Sequence, residues 1–277
     1  MTSSRLTIGR STTLCMSLSG RPGSFGSRFH NHLYQALALD YLYKAFSTHD
    51  LASAIAGVRA LGIRGCSVSM PFKEACIPLL DDLGPTARAI SSVNTIVNDA
   101  GRLTGHNTDY AAVLTLLREL ELSSDTRVAL RGSGGMAKAV AHALREAGFE
   151  NVLILARNVA EGTALAQALS YEQRTELAAN DRPALLINAT PIGMSGGPES
   201  DALPFEAATI AQCQVAFEVV AIPEETPFVR AARDNKKRVV TGGRVLVLQG
   251  LDQFVLYTGQ RPNEQQLSAA AAYALTG

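Results

Sequence analysis

No basic run longer than three residues, no apolar stretch approaching about 18 residues and no metal-ligand spacing among the four cysteines occurs in this sequence. With 25 basic and 25 acidic residues and a formal net charge of +0, there is no footprint for a nucleic acid or an anionic membrane. No candidate membrane span is present and no basic-then-apolar signal segment opens the chain, so a cytoplasmic protein is expected. Cys15, Cys66, Cys76 and Cys213 read as reduced thiols, and no metal is expected. Tryptophan is absent and aromatics make up 6%, yet 47% of the residues are apolar against 18% charged. A 277-residue chain of that composition can bury a sizeable core, as one large domain or two ordinary ones.

Strand and helix signals alternate. Thr13 to Ser19 reads as a strand, followed by a Gly-Arg-Pro turn and a helix through Phe29, Leu33, Leu37 and Leu39. Tyr41–Phe46 and Ile63–Val68 read as further strands, with a helix capped by Asp50 between them. Thr95–Val97 begins a hairpin that turns at Asn98-Asp99-Ala100-Gly101. Asn107-Thr108-Asp109 then opens a helix whose apolar positions Tyr110, Val113, Leu114, Leu117 and Leu120 share one face. A second set of strands follows at Val128–Leu130, Val152–Leu155, Ala184–Asn188, Val215–Val220 and Arg238–Thr241. Two last helices, one rich in Leu246, Leu248, Leu251 and Phe254 and the other covering Ser268–Leu275, have no strands of their own. They are expected to return to the first domain. The alternation predicts an α/β protein of two domains with a cleft between them: a substrate domain at 1–105 and 240–277, and a dinucleotide-binding domain at 106–239.

The second domain is named by its glycines. Gly132-Ser133-Gly134-Gly135-Met136-Ala137 lies where the strand Arg127–Arg131 turns into a helix, and another strand follows one βαβ length later. Glycines permit the tight turn and the close approach of backbone to a pyrophosphate, whose charge then meets free N–H groups at the helix start. This predicts a Rossmann-type NAD(P)-binding unit. The following strand ends in Ala156-Arg157-Asn158 with no carboxylate until Glu161. An acid at that point would hold the ribose hydroxyls of NAD, whereas arginine suits a 2′-phosphate. Arg157 therefore favours NADP over NAD, with an ordinary strand-end surface arginine as the competing reading.

Gly65-Cys66-Ser67-Val68-Ser69-Met70-Pro71-Phe72-Lys73-Glu74 puts a lysine just past a buried strand. A desolvated lysine at a strand end can move protons. Taken alone, Lys73 reads first as a solvated surface residue, and Asp109 as a helix cap or first-turn charge. Ser91-Ser92-Val93-Asn94-Thr95 and Asn107-Thr108-Asp109 add amides and hydroxyls suited to a polyhydroxylated ligand.

The order of these segments carries more than any one of them. Pro-Phe-Lys-Glu, Ser-Val-Asn-Thr-Ile, Asn-Thr-Asp-Tyr and Gly-Ser-Gly-Gly-Met-Ala-Lys-Ala are followed by Asn188-Ala189-Thr190-Pro191-Ile192-Gly193-Met194 and by Ile222-Pro223-Glu224-Glu225-Thr226-Pro227. Leu248-Gln249-Gly250 and Tyr257-Thr258-Gly259 close the series, which resembles the shikimate dehydrogenase family over nearly the whole chain. The resemblance implies reversible hydride transfer between NADPH and the ketone of 3-dehydroshikimate, with Lys73 and Asp109 as the catalytic pair. It implies substrate contacts from Ser69, Asn94 and Gln249. Cofactor contacts are implied at Gly132 through Ala137, at Ala156, Arg157 and Asn158, and at Asn188, Thr190, Pro191 and Val220. The substrate is then a small hydroxy acid, and the chain a monomer or homodimer.

Departures from the family pattern cluster on recognition. The family's asparagine two positions before the threonine is Ser67, its tyrosine near the Asn-Pro pair is Ala221, the preceding acid is Glu218 instead of aspartate, and Ala156 replaces an asparagine. Glu161 stands where a second basic residue is usual. The N-terminal serine motif is two residues shorter, so that counting back from His30 puts Ser24 at the first serine and Gly26 at the second, with Ser27 adjacent. Ser24 and Ser27 are the expected substrate serines. Substrate recognition reads as revised, toward shikimate, quinate or a related cyclic acid. The alternative is a non-catalytic cofactor-binding or regulatory paralogue, against which the retention of both Lys73 and Asp109 argues.

Overall fold

The computed structural model describes residues 8–276; residues 1–7 and residue 277 lie outside the described residues. The chain divides into two compact units, Met1–Thr108 with Gln249–Gly277, and Asp109–Leu248.

The first unit runs β1 (Thr13–Ser19), α1 (Phe25–Ala36), β2 (Tyr41–Ser47), α2 (Leu51–Ala60), β3 (Gly65–Val68), β4 (Asp82–Leu83), α3 (Pro85–Ile90), β5 (Thr95–Asp99) and β6 (Arg102–His106). Its sheet is ordered β2-β1-β3-β5-β6-β4 and is mixed. β1 pairs in parallel with β2 and β3, while β5 lies antiparallel to both β3 and β6. Met16, Leu18, Ile55, Val58, Cys66 and Val68 belong to one core cluster under this sheet. Asp50 caps α2 by accepting from Ser53 N at 3.0 Å, as its sequence position required.

The second unit opens with α4 (Thr108–Glu119) and continues through β7 (Val128–Arg131), α5 (Gly135–Glu146), β8 (Val152–Leu155), α6 (Val159–Leu169), β9 (Glu172–Arg174), β10 (Leu185–Asn188), α7 (Ala207–Gln212), β11 (Val215–Glu218), α8 (Pro227–Asp234) and β12 (Arg238–Val240). α9 (Gly242–Thr258) and α10 (Glu264–Leu275) follow. Every pairing in this second sheet is parallel, in the order β9-β8-β7-β10-β11-β12. Numbered within the unit this is 3-2-1-4-5-6, the doubly wound arrangement whose ligands bind beyond the carboxyl ends of the strands where the order reverses. β7, β8 and β10 are buried on both faces apart from Arg131, as continuous apolar strands in a covered parallel sheet must be.

α9 from Gln249 onward and α10 fall in the first unit. Arg28 Nε of α1 donates to Tyr273 O of α10 at 3.0 Å, and Arg64 Nε beside β3 donates to Tyr257 O of α9 at 3.0 Å. Gly65 is required there, because a Cβ would enter the Tyr257 ring, 2.6 Å from its Cγ. Several expected boundaries move, β3 starting at Gly65 instead of Ile63 and α10 at Glu264 instead of Ser268 among them, and two of the shifts have a local cause. The helix read through Leu39 ends at Ala36, because Ala38 takes a left-handed φ of 52° and Leu39 N donates back to Tyr34 O at 2.9 Å. The strand read to Val220 ends at Glu218, because Val220 N donates to the Glu218 carboxylate at 3.0 Å instead of continuing a ladder.

Candidate active site

The glycine turn follows β7. Gly132 has φ 130°, and a Cβ on it would lie 2.8 Å from Ala189 O and 3.2 Å from the Ala137 methyl. Only glycine satisfies both the backbone angle and the approach of the loop after β10. Gly134 and Gly135 face open space instead, with no atom within 4 Å of a Cβ placed on either. α5 starts at Gly135 with no side-chain cap from Gly134, so its first-turn N–H groups are presented to a ligand. A bare helix N-terminus behind a glycine turn, at the reversal point of the sheet, fits a pyrophosphate. Ser133 and Met136 are half-buried on this turn, and Ala137 is fully buried against β7.

Ala156 closes β8 and is buried, and Gly162 of α6 packs on it so tightly that a Cβ at Gly162 would meet its methyl at 2.6 Å. The alanine methyl at this point is thus a packing contact between the strand end and α6. Asn158 accepts from Glu161 N at 3.3 Å and caps α6. Arg157 extends from the same strand end, and its guanidinium holds Glu199 in a two-pronged pair, both N···O distances being 3.1 Å.

The Asn188-Ala189-Thr190-Pro191 loop after β10 is organised from within. Asn188 Nδ2 donates to Ile192 O at 3.0 Å and to Glu218 at 2.9 Å, and its Oδ1 accepts from Thr190 N and Thr190 Oγ1. Both amide hydrogens and both carbonyl lone pairs are engaged. Asn188 therefore shapes the loop that presents Pro191, and its amide is not open to a ligand. Glu218 is fully buried and also accepts from Val220 N and Thr226 Oγ1, so it fixes the course of the chain at Val220. Burial pushes its carboxyl up to about 7, against those donors, which pull it down. A folded-state value raised above the ordinary 4.5 means a stabilising contribution present below that value and lost as pH rises through about 7. On the order of 3 kcal/mol is at stake. Denaturant titration at pH 4.5 and pH 8 is expected to show wild type losing stability relative to Glu218→Gln by about that amount as pH rises. A difference that stays flat with pH would refute it.

On the first unit, Lys73 is half-buried just past β3, and its carbonyl accepts from Val93 N at 2.8 Å. The next residue, Asn94, is buried. It accepts from Thr108 N at 2.8 Å and donates Nδ2 to Thr108 Oγ1 at 3.0 Å. One strand start thus fixes both the lysine segment and the residue that precedes Asp109. Asp109 is buried in the first turn of α4. Ser69 is exposed, with its N–H tied to Leu18 O at 2.9 Å. Ser24 is the exposed N-cap of α1, Ser27 is half-buried in its first turn, and Gln249 is half-buried on α9.

Two buried residues not picked out from the sequence, Tyr43 and Gln253, join Tyr257 of the closing motif around Ser67. Tyr43 OH donates to Ser67 Oγ at 2.8 Å, Ser67 Oγ donates to Gln253 Oε1 at 2.9 Å, and Tyr257 OH lies 3.1 Å from the same serine oxygen. Gln253 Nε2 in turn donates to Thr95 Oγ1 at 3.1 Å. Tyr43 is gripped from both sides: Asn31 exchanges two hydrogen bonds with its backbone, and His30 stacks on its ring at 4.5 Å. The only sequence signal was Gln253, one helical turn beyond Gln249. Tyr43 also explains Gly26, since a Cβ there would come within 3.2 Å of its hydroxyl. Two departures from the family pattern, Gly26 and Ser67, therefore meet at one phenol.

Among the described residues no group of three His, Cys, Asp or Glu side chains is placed to hold a metal, and no helix is long and apolar enough to cross a membrane. All four cysteines are free and buried.

A doubly wound parallel sheet with a glycine turn at its reversal point, joined in one chain to a mixed-sheet unit carrying a lysine and polar amides, defines a two-unit dinucleotide-linked oxidoreductase fold. Residues 23–96 match the shikimate dehydrogenase substrate binding domain, and residues 116–195 match shikimate / quinate 5-dehydrogenase. A shikimate dehydrogenase-like protein of Haemophilus influenzae is 52% identical over 97% of this chain and 99% of its own. The shikimate 5-dehydrogenase of Thermus thermophilus, solved with NADP(H) and shikimate, is 31% identical with a TM-score of 0.83, covering 95% of this chain and 100% of that one. The quinate dehydrogenase of Corynebacterium glutamicum, solved with NAD, is 26% identical with a TM-score of 0.84, covering 96% and 99%. The chain belongs to the shikimate dehydrogenase family.

Proposed function

We propose that this protein is an NAD(P)-dependent oxidoreductase, taking NADP with NAD as the alternative, that interconverts a ring ketone and alcohol in shikimate, quinate or a closely related polyhydroxylated cyclic acid. The observation that carries the reading is Asn94, which fixes the Lys73 segment through its neighbour Val93 and the start of the Asp109 helix through Thr108. A drifted binding protein has no reason to keep that arrangement together with both ionisable residues.

When bound, the nicotinamide accepts or supplies the hydride. A ketone reduced in this way becomes an alkoxide and needs a proton at that oxygen. Lys73 Nζ donates it, and in the opposite direction the neutral amine takes the proton from the alcohol. Asp109 orients the ammonium and accepts from a neighbouring substrate hydroxyl. Gly132 through Ala137 and the start of α5 would hold the pyrophosphate, Arg157 would meet a 2′-phosphate, and the loop shaped by Asn188 and Thr190, with Val220, would face the nicotinamide. Ser24, Ser27, Ser69, Asn94 and Gln249 supply hydroxyls and amides to the acid and its ring hydroxyls.

Ala221 in place of a phenol removes a hydrogen bond worth about 0.5–1.5 kcal/mol and some packing area. Steady-state rates with shikimate, quinate and related hydroxy acids, each with NADP and with NAD, test this reading. Expected are turnover with at least one cyclic hydroxy acid, weak saturation by shikimate, and a lower KM for shikimate in Ala221→Tyr. Tight saturation of the unmodified protein by shikimate refutes the revised recognition, and the absence of turnover with every acid refutes the enzyme.

A further inference from the structure

We infer that Glu199 sets cofactor selectivity by competing with the 2′-phosphate of NADP for the guanidinium of Arg157. The proposal rests on the reading that this chain takes a dinucleotide, and it assigns a role to a carboxylate that no comparison of strand ends would find.

Arg157 follows β8 and Glu199 lies in the loop after β10, so the pair reaches across β7, the strand between them in the sheet. Neighbouring strands lie about 4.8 Å apart, so the link spans roughly two strand widths beyond the carboxyl end of β7, where the glycine turn sits. The pairing is two-pronged, the geometry in which guanidinium meets either carboxylate or phosphate. A carboxylate there occupies the same donors that a 2′-phosphate would use.

Glu199 is held for this purpose by its backbone. Its carbonyl accepts from Gly193 N at 2.9 Å and from Ala202 N at 3.2 Å, and the loop is further tied by Ser195 N donating to Ile222 O at 3.0 Å. The pair is nevertheless open to solvent, with 68% of the Arg157 side chain and 37% of the Glu199 side chain exposed. An exposed pair of this kind is weak enough to exchange for a dianionic ligand. NADP must displace Glu199 to engage Arg157, whereas NAD, lacking the phosphate, leaves the pair intact. The sequence reading, in which the lack of an acid beside Arg157 favoured NADP, is thereby offset by an acid supplied from 42 residues away.

Titration calorimetry of NADP+ and NAD+ against wild type, Glu199→Gln, Arg157→Ala and the double variant tests this without requiring turnover. Glu199→Gln is expected to tighten NADP+ on the order of three- to tenfold while NAD+ stays within twofold. In the Arg157→Ala background the same change should leave NADP+ within twofold, because the competition has lost its object. Unchanged or weaker NADP+ binding in Glu199→Gln overturns the proposal, as does an equal change for NAD+. Tightening that persists without Arg157 also overturns it, since it would report only the loss of a nearby negative charge. If neither nucleotide binds any variant, the dinucleotide reading itself falls; if both bind and only the selectivity fails to move, that reading stands and the role of Glu199 falls alone.

Discussion

Lys73→Ala is expected to lower kcat by about 10²–10⁴-fold on whichever cyclic acid the protein turns over, the range for removing a positioned proton donor. That corresponds to roughly 3–5 kcal/mol of barrier. Affinity for the dinucleotide should stay within twofold, because the residues expected to hold it lie in Asp109–Leu248 while Lys73 lies in the other unit. Stability should change little, since the side chain is only half-buried on a connecting segment whose anchor is a backbone bond from Val93. Rapid-mixing or steady-state turnover and calorimetric cofactor binding separate these quantities. A variant keeping more than a tenth of wild-type kcat refutes the catalytic assignment, and joint loss of turnover and cofactor binding would point to a structural role.

Gly242→Ala is expected to be the most damaging methyl addition in the nucleotide unit. A Cβ at that position would be driven into the carbonyl carbon and oxygen of Val220 and would lie 2.7 Å from Ala221 N. All three are backbone atoms, and Val220 is further held through its N–H by the buried Glu218 carboxylate. Neither side can yield as a flexible side chain would, so the cost is about 3 kcal/mol or more. This is a large share of the roughly 5–15 kcal/mol that holds a protein folded. It also runs against helix propensity, which favours alanine over glycine by about 1 kcal/mol in a helix interior. Gly243→Ala is the matched control: there the nearest atom is the Glu224 carboxylate oxygen at 3.2 Å, which can move away. Urea denaturation of both variants is the measurement. A Gly242→Ala protein within 1 kcal/mol of wild type would show that the junction relaxes freely.

Much of the fold was legible because its strands are apolar on both faces and its glycines lie where backbone geometry demands them. β8 was read to the residue, and the glycine turn stood out because Gly132 cannot be replaced without a clash. β9 was invisible: Glu-Gln-Arg has no strand pattern, and it becomes a strand only by pairing with the edge of β8. α6 was missed for a related reason, since the Asn158 that caps it was read as a ligand contact. The site divides the same way. Lys73, Asp109 and Asn94 announce themselves in short motifs, whereas Ser67 and Gln253 are 186 residues apart and Arg157 and Glu199 are 42 apart. Pairings of that kind are set by topology and leave no local mark.

Tyr43 ties together positions that lie far apart in the sequence. Its hydroxyl fills the approach to Gly26 and binds Ser67, while Asn31 and His30 hold it in place. A serine at Gly26 would press a side chain against the phenol, and an amide at Ser67 would crowd the oxygen that Tyr43, Gln253 and Tyr257 share. Either larger residue is therefore unfavourable while the tyrosine stays in place. Removing the tyrosine alone opens a void and strips a hydrogen bond from the serine. The three positions are therefore coupled: a change at Gly26, Tyr43 or Ser67 is felt at the other two, and none of them can be exchanged alone without a cost.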